Sequence, residues 1–209
     1  MKKLPLACLI TAVCLPSLAQ AHSAGDFIFR AGPTYVVPDE SSDDVLGLGE
    51  FSVSNDVQLG ITGTYMITDN MGVELLAATP FSHNVSLGGG NIAKVKHLPP
   101  TLVAQYYLFD AQSAWRPYIG AGINYTTFFD EEFTNNLGGA LTDLKLKDSW
   151  GFAAQVGMDY ALANNMVVNA SVWWMDIDTE VKFKAGGVQQ KIKTDIDPWV
   201  FMMGIGYRF

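Results

Sequence analysis

Cysteine is scarce: Cys8 and Cys14 are the two in 209 residues, and both stand near the amino terminus. They fall in a segment that reads as a secretory signal peptide. Met1-Lys2-Lys3 precedes an apolar run from Leu4 to Leu15, and Ala19-Gln20-Ala21 is a small-x-small cleavage site. Cleavage after Ala21 leaves a mature chain without thiols, which excludes disulfides and thiol chemistry. Long apolar runs are also missing. None approaches the roughly 18 residues that a membrane-spanning helix requires. Basic residues are few, 13 against 21 acidic, and Lys2 and Lys3 leave with the signal, for a mature net charge of about −10. That balance excludes nucleic acid as a partner. Nucleotide-binding loops and zinc-ligand spacings are absent. The expectation is a protein with no cofactor, no metal and no catalytic residue.

What is present is a pattern. The chain ends Pro198-Trp199-Val200-Phe201-Met202-Met203-Gly204-Ile205-Gly206-Tyr207-Arg208-Phe209. Every second residue from Phe209 back to Trp199 is large and apolar, the period of a strand with one greasy face. A terminal aromatic strand suits an outer-membrane barrel, whose last strand pairs with its first and whose aromatics sit at the membrane interface. Phe209 is then the terminal signal read by the outer-membrane assembly machinery.

Seven further segments alternate in the same way. They lie at Asp26 to Val37, Val57 to Ile67, Val73 to Pro80, Pro99 to Leu108, Tyr118 to Tyr125, Gly151 to Tyr160 and Val167 to Met175. Short turns follow strands two, four and six. Long loops follow strands one, three, five and seven: an acidic stretch from Asp39 to Asp44, a Gly-rich loop from His83 to His97, a loop from Asp130 to Asp148 with room for a helical turn, and a loop centred on Gly186-Gly187. Short turns on one side and long loops on the other predict an all-β fold. It is an eight-stranded antiparallel transmembrane β-barrel, an up-and-down meander with short periplasmic turns and four longer extracellular loops. Residues 1–21 form the signal and 22–209 the barrel, placed in the outer membrane of a Gram-negative cell.

Several stretches resemble the outer membrane protein W family: Asp69 to Phe81, His97 to Thr101, Arg116 to Phe129, Leu146 to Gly151, Val172 to Thr179, Asp197-Pro198-Trp199 and the terminal Gly206 to Phe209. The resemblance covers essentially the whole mature chain and departs mainly in the loops, at Glu40 to Glu50 and Leu87 to Lys96. It implies a barrel with an apolar inner channel that admits small hydrophobic molecules, with alkane-import proteins among its relatives. It also implies an apolar constriction made by a Leu and a Trp, which correspond to Leu76 and Trp173. Some members serve as bacteriocin receptors, so a bacteriocin or phage acting through the loops is an alternative partner.

Parity adds its own reading. Arg30, Glu74, Arg116, Asp159 and Arg208 fall on inward or rim positions near the periplasmic end, where opposite charges must pair because desolvation is costly. Higher up, Leu76, Val103, Phe128, Trp173, Met175 and Val200 point inward. Most small barrels have polar interiors, so a greasy funnel above a charged plug is expected. An apolar guest gains about 0.8 kcal/mol per methylene in the funnel and nothing in the plug, which favours lateral release into lipid. Pro80, Pro99 and Pro100 mark one weak seam, since proline donates no ladder hydrogen bond. Pro38 and Pro198 mark a second. Trp174 and Trp199 face lipid. His83 and His97 lack a third ligand for a metal. Ser82 beside His83 is the best nucleophile and base available, but neighbours on a strand point to opposite faces.

Overall fold

Alternation of side chains decides the architecture, and the computed structural model, which describes residues 22–209, bears this out. The predicted signal peptide, with Cys8 and Cys14, lies outside the described residues. Eight strands form the barrel: β1 Phe27–Val37, β2 Asp56–Met66, β3 Met71–Ala78, β4 Thr101–Tyr107, β5 Trp115–Phe133, β6 Ser149–Ala161, β7 Met166–Met175 and β8 Trp199–Arg208. Each pairs antiparallel with its neighbour in sequence. The ring closes through β1 and β8, from Ile28↔Arg208 to Val37↔Trp199. Closure removes the sheet edge, so every strand is paired on both sides, as a bilayer demands.

Outward residues form an apolar band with aromatic rims. Tyr35, Trp150 and Trp199 stand at the loop side; Tyr65, Tyr106, Trp115 and Tyr207 stand at the turn side. Their amphipathic rings suit the two membrane interfaces. Phe209 is exposed, lies against Phe27 and Tyr207, and is held by backbone bonds to Phe27. At the turn between β6 and β7, Asn164 and Asn165 both adopt positive φ, which matches the twist of a tight hairpin.

The outer loops differ from the expectation. The second is a hairpin, Phe81–Leu87 with Gly90–Leu98. The third contains no helical turn: β5 continues through Asp130 to Phe133, and Leu141–Leu146 is a strand. The fourth is a hairpin, Asp178–Ala185 with Val188–Asp195. The reason is that the period of two persists beyond the membrane. Val181, Phe183 and Ile192 turn inward and are buried, while Lys182, Lys184 and Lys191 turn outward. Two walls result. One joins Ser52–Val53, the second-loop hairpin and the top of β5. The other joins Leu141–Leu146, the fourth-loop hairpin and Ser41–Ser42.

Candidate functional site

Between these walls lies a cavity of about 150 Å³. Its lining is mostly apolar side chains from all four loops, among them Val45, Phe51, Val85, Val95, Leu144, Val181 and Phe183, with Phe128 and Phe133 from β5. Leu46, Leu48 and Leu137 stand at the loop tips, each half exposed or more, and also line it. The volume matches that of a guest about as large as benzene.

His83 and His97 form the base of one wall. Their rings stack with centroids 4.9 Å apart and planes inclined by 17°. His97 also stacks on Phe81 at 5.4 Å and touches Phe128 at 5.9 Å. His83 Nδ1 lies 2.5 Å from the Ser54 carbonyl oxygen. A carbonyl only accepts, so Nδ1 carries the hydrogen and Nε2 keeps a bare lone pair. That Nε2 is buried and has no hydrogen-bond partner among the described residues. Burial depresses the His83 pKa and pushes His97 down to about 3, the neighbouring His83 adding to the second shift. Both imidazoles are therefore neutral. On the facing wall Thr194 Oγ1 is likewise buried without a partner. Ser82 and His83 do not form a pair: His83 faces the cavity, whereas Ser82 is on the opposite side of the strand and its amide donates to Asp56.

Below the cavity the barrel is filled. Leu76, Val103, Trp173, Met175 and Val200 are buried together with Met202, and Phe128 belongs to the same apolar cluster at its upper end. The Trp173 indole N–H donates to Ser171 Oγ at 3.2 Å. A small void of about 10 Å³ remains beside them, lined in part by Leu76, Ala77, Ala78, Phe81, Pro99 and Met175. It sits where the β3–β4 ladder stops. That ladder breaks off at Leu76↔Thr101 and pairing resumes at Phe81↔His97 in the second-loop hairpin, while Ala78 still pairs with Gly60 of β2. Pro80 lies just past β3, and the carbonyls of Pro99 and Pro100 are taken by Asn124 and Tyr125 of β5. The other proline seam is different. Pairing of β1 with β8 runs through Val37↔Trp199, and the Asp39 amide continues it to the Ile196 carbonyl at 3.0 Å. The seam at Pro38 and Pro198 is stitched, because neighbouring amides supply the donors that the prolines lack.

Under the apolar layer is a polar floor. Arg30 is fully buried. Its Nε donates to Asp159 at 3.0 Å; one terminal nitrogen donates to Glu74 and to Thr64, each at 2.7 Å. The other donates to Asp159 and to the Tyr107 hydroxyl, the latter at 3.0 Å. Glu74 accepts a further bond from Gln155 at 2.9 Å, and Asn169 bridges Asp159 and the Tyr118 hydroxyl at 2.8 and 3.0 Å. Gly157 leaves room for Tyr118 to lie across this layer, since a Cβ there would stand 2.4 Å from its ring. Two members of the expected charge cluster behave otherwise. Arg116 lies lower, over the Tyr107 ring at 4.9 Å, and donates to the carbonyls of His22 and Asp69 rather than to a carboxylate. Arg208 stays at the rim with Asp26 at 3.6 Å and Asn165, because its place next to the chain end puts it outside the layer of Arg30. His22, which sequence reasoning missed, is buried and joins Asp159 at 2.9 Å. Asp176, Asp178 and Asp197 bring carboxylates within 4.8 Å of one another at the base of the fourth loop. Asp197 and Asp176 also accept backbone amides there, those of Ile177 and Phe152.

A closed eight-stranded barrel with an aromatic-rimmed apolar exterior is an outer-membrane β-barrel protein. The model of the OmpW family matches residues 23–209. The chain is 57% identical over 212 residues to outer membrane protein W of Escherichia coli K12, covering all of both chains. It belongs to the OmpW family and is an outer-membrane protein. Its fold is similar to the crystal structure of OprG from Pseudomonas aeruginosa, with a TM-score of 0.86 and 46% identity over 91% of this chain and 98% of that one. It is also similar to outer membrane protein AlkL of Ectopseudomonas oleovorans, at 29% identity over 93% of this chain and 86% of that protein. The AlkL structure in lipid bilayers superposes with a TM-score of 0.70.

Proposed function

We propose that the protein admits small apolar molecules from outside the cell and releases them sideways into the outer membrane. The observation that carries this reading is the stacking of an apolar cavity upon a sealed polar floor. A hydrocarbon gains free energy in the loop cavity in proportion to the apolar area it hides. Further descent along the barrel axis would place it against Arg30, Glu74 and Asp159, whose bonds to each other it cannot replace. The way out that breaks fewest bonds leads past Phe81 and the small void, through the gap in the β3–β4 seam near Pro80, Pro99 and Pro100, between Leu76↔Thr101 and Phe81↔His97. Leu76 and Trp173 act as the constriction that turns the guest aside. No chemical step is required, and lipid is the acceptor.

Uptake of a radiolabelled small hydrocarbon by cells tests the reading, with surface levels and heat-modifiable mobility matched between variants. Trp173→Arg places a charge in the constriction itself and should abolish the excess uptake. A disulfide joining Ala77→Cys to Pro100→Cys should do the same, and reduction should restore it. Undiminished uptake with the seam verified as locked would rule out lateral release there. Equal uptake with and without the barrel would rule out transport altogether.

A further inference from the structure

The cavity is not uniformly apolar, and its exceptions are informative. His83 lines it, is 4% exposed, and holds a lone pair on Nε2 that nothing satisfies among the described residues. A buried acceptor with no protein donor costs free energy unless something bound beside it donates. A purely hydrocarbon guest leaves that deficit in place. A guest with an O–H removes it.

We propose that the loop cavity is built for apolar molecules bearing one hydroxyl, such as phenols and medium-chain alcohols, with the hydroxyl donating to His83 Nε2. This deepens the transport reading above and rests on it. Three features fix the polarity of the contact. The Ser54 carbonyl holds the hydrogen on Nδ1, so Nε2 accepts and does not donate. The stack with His97, itself packed on Phe81, holds the ring plane. Burial keeps the imidazole neutral, so the lone pair is not lost to a proton near neutral pH. Thr194 Oγ1, unpartnered on the facing wall, offers a second contact and can turn to donate or accept. A hydroxyl donor is preferred over a carboxylate. An ionised guest would bring a charge into an apolar cavity and could not donate to Nε2.

The test uses the folded barrel in lipid nanodiscs and a matched pair of probes, p-cresol and p-xylene, which differ by a hydroxyl in place of a methyl. The ratio of their dissociation constants reads the contact, because burial of the shared body cancels. His83→Phe should shift that ratio about tenfold in favour of p-xylene, the factor that corresponds to about 1.4 kcal/mol at room temperature. In the wild-type protein, p-cresol should also move the ¹⁵N resonance of the pyridine-type His83 nitrogen upfield, and p-xylene should not; this readout needs no substitution. If both probes bind, the ratio is unchanged by His83→Phe and the resonance stays still, the hydroxyl contact is wrong and the apolar cavity stands. If neither probe binds the wild type, the transport reading fails and this proposal with it.

Discussion

The floor and the loop cavity are both buried, and they are built on opposite rules. In the floor, Arg30 makes bonds to Asp159, Glu74, Thr64 and Tyr107, and each carboxylate has further donors. In the cavity, mostly apolar walls carry two fully buried polar atoms, His83 Nε2 and Thr194 Oγ1, that have no partner among the described residues. Around Arg30 the network resists intrusion because any guest must break bonds it cannot remake; at its lower side His22 Nδ1 and Arg116 Nε have no hydrogen-bond partner among the described residues. An unsaturated apolar cavity invites a guest because occupancy adds contacts and, for a hydroxyl, a missing bond. On the proposed transport reading, the difference separates where cargo would be held from where it would be refused.

The sharpest way to break this comparison is to damage the floor. Asp159→Ala leaves Arg30 with one carboxylate and removes the partner of His22, and loss of one member of a buried pair costs about 3–5 kcal/mol. Urea unfolding in lipid vesicles should show that drop. The second-largest effect is expected in the apolar layer. Leu76→Ala should cost about 3 kcal/mol from lost burial and the void left behind, by the same measurement, while p-xylene binding in the loop cavity persists. The third acts on the cavity through pH. His97 has a folded pKa of about 3 and an ordinary value near 6.5 when its loop opens. Between those values the open form binds a proton that the closed form does not, so the closed form loses stability as pH falls through that window. The opening free energy of the Gly90–Leu98 strand, read from hydrogen exchange after correction for the intrinsic pH dependence of amide exchange, should fall below about pH 6.5, by about 1.4 kcal/mol per pH unit at most. It should be flat at higher pH, and His97→Phe should flatten the acid limb. The smallest effect is expected at the surface. Lys96 pairs with Asp130 at 3.0 Å where both are exposed, and Lys96→Ala should change stability by no more than about 0.5 kcal/mol in the same exchange experiment.

The barrel was legible because a bilayer enforces strict alternation. Ile28 and Arg30 had to face in once Phe27 and Phe29 faced lipid, and the same parity put Leu76, Glu74, Asp159 and Trp173 inside. Arg116 and Arg208 show the limit of parity. It assigns a side but not a height or a partner, so Arg116 lies under the network and Arg208 at the rim. The loop cavity was hidden for another reason. Its alternation, as in Val181-Lys182-Phe183-Lys184, is interrupted by glycines and charges, and no single loop buries its own apolar face. His22 was missed because it stands beside the predicted cleavage site, with no strand to give it a side.

The amino-acid sequence by itself determined the class of protein, the number and order of the strands, the closure through the terminal strand and the inward set of side chains. These follow from local periodicity and from the rule that no backbone group is left unpaired in lipid. Only the tertiary structure decided that the four loops meet as two walls around a cavity, that the β3–β4 ladder is interrupted between Leu76↔Thr101 and Phe81↔His97 while the β1–β8 ladder is stitched, and that His83 keeps a nitrogen unpaired among the described residues. Each of those depends on groups far apart in sequence, such as Ser54 and His83 or Phe51 and Phe183, and pairing at that range is set by packing rather than by the local pattern.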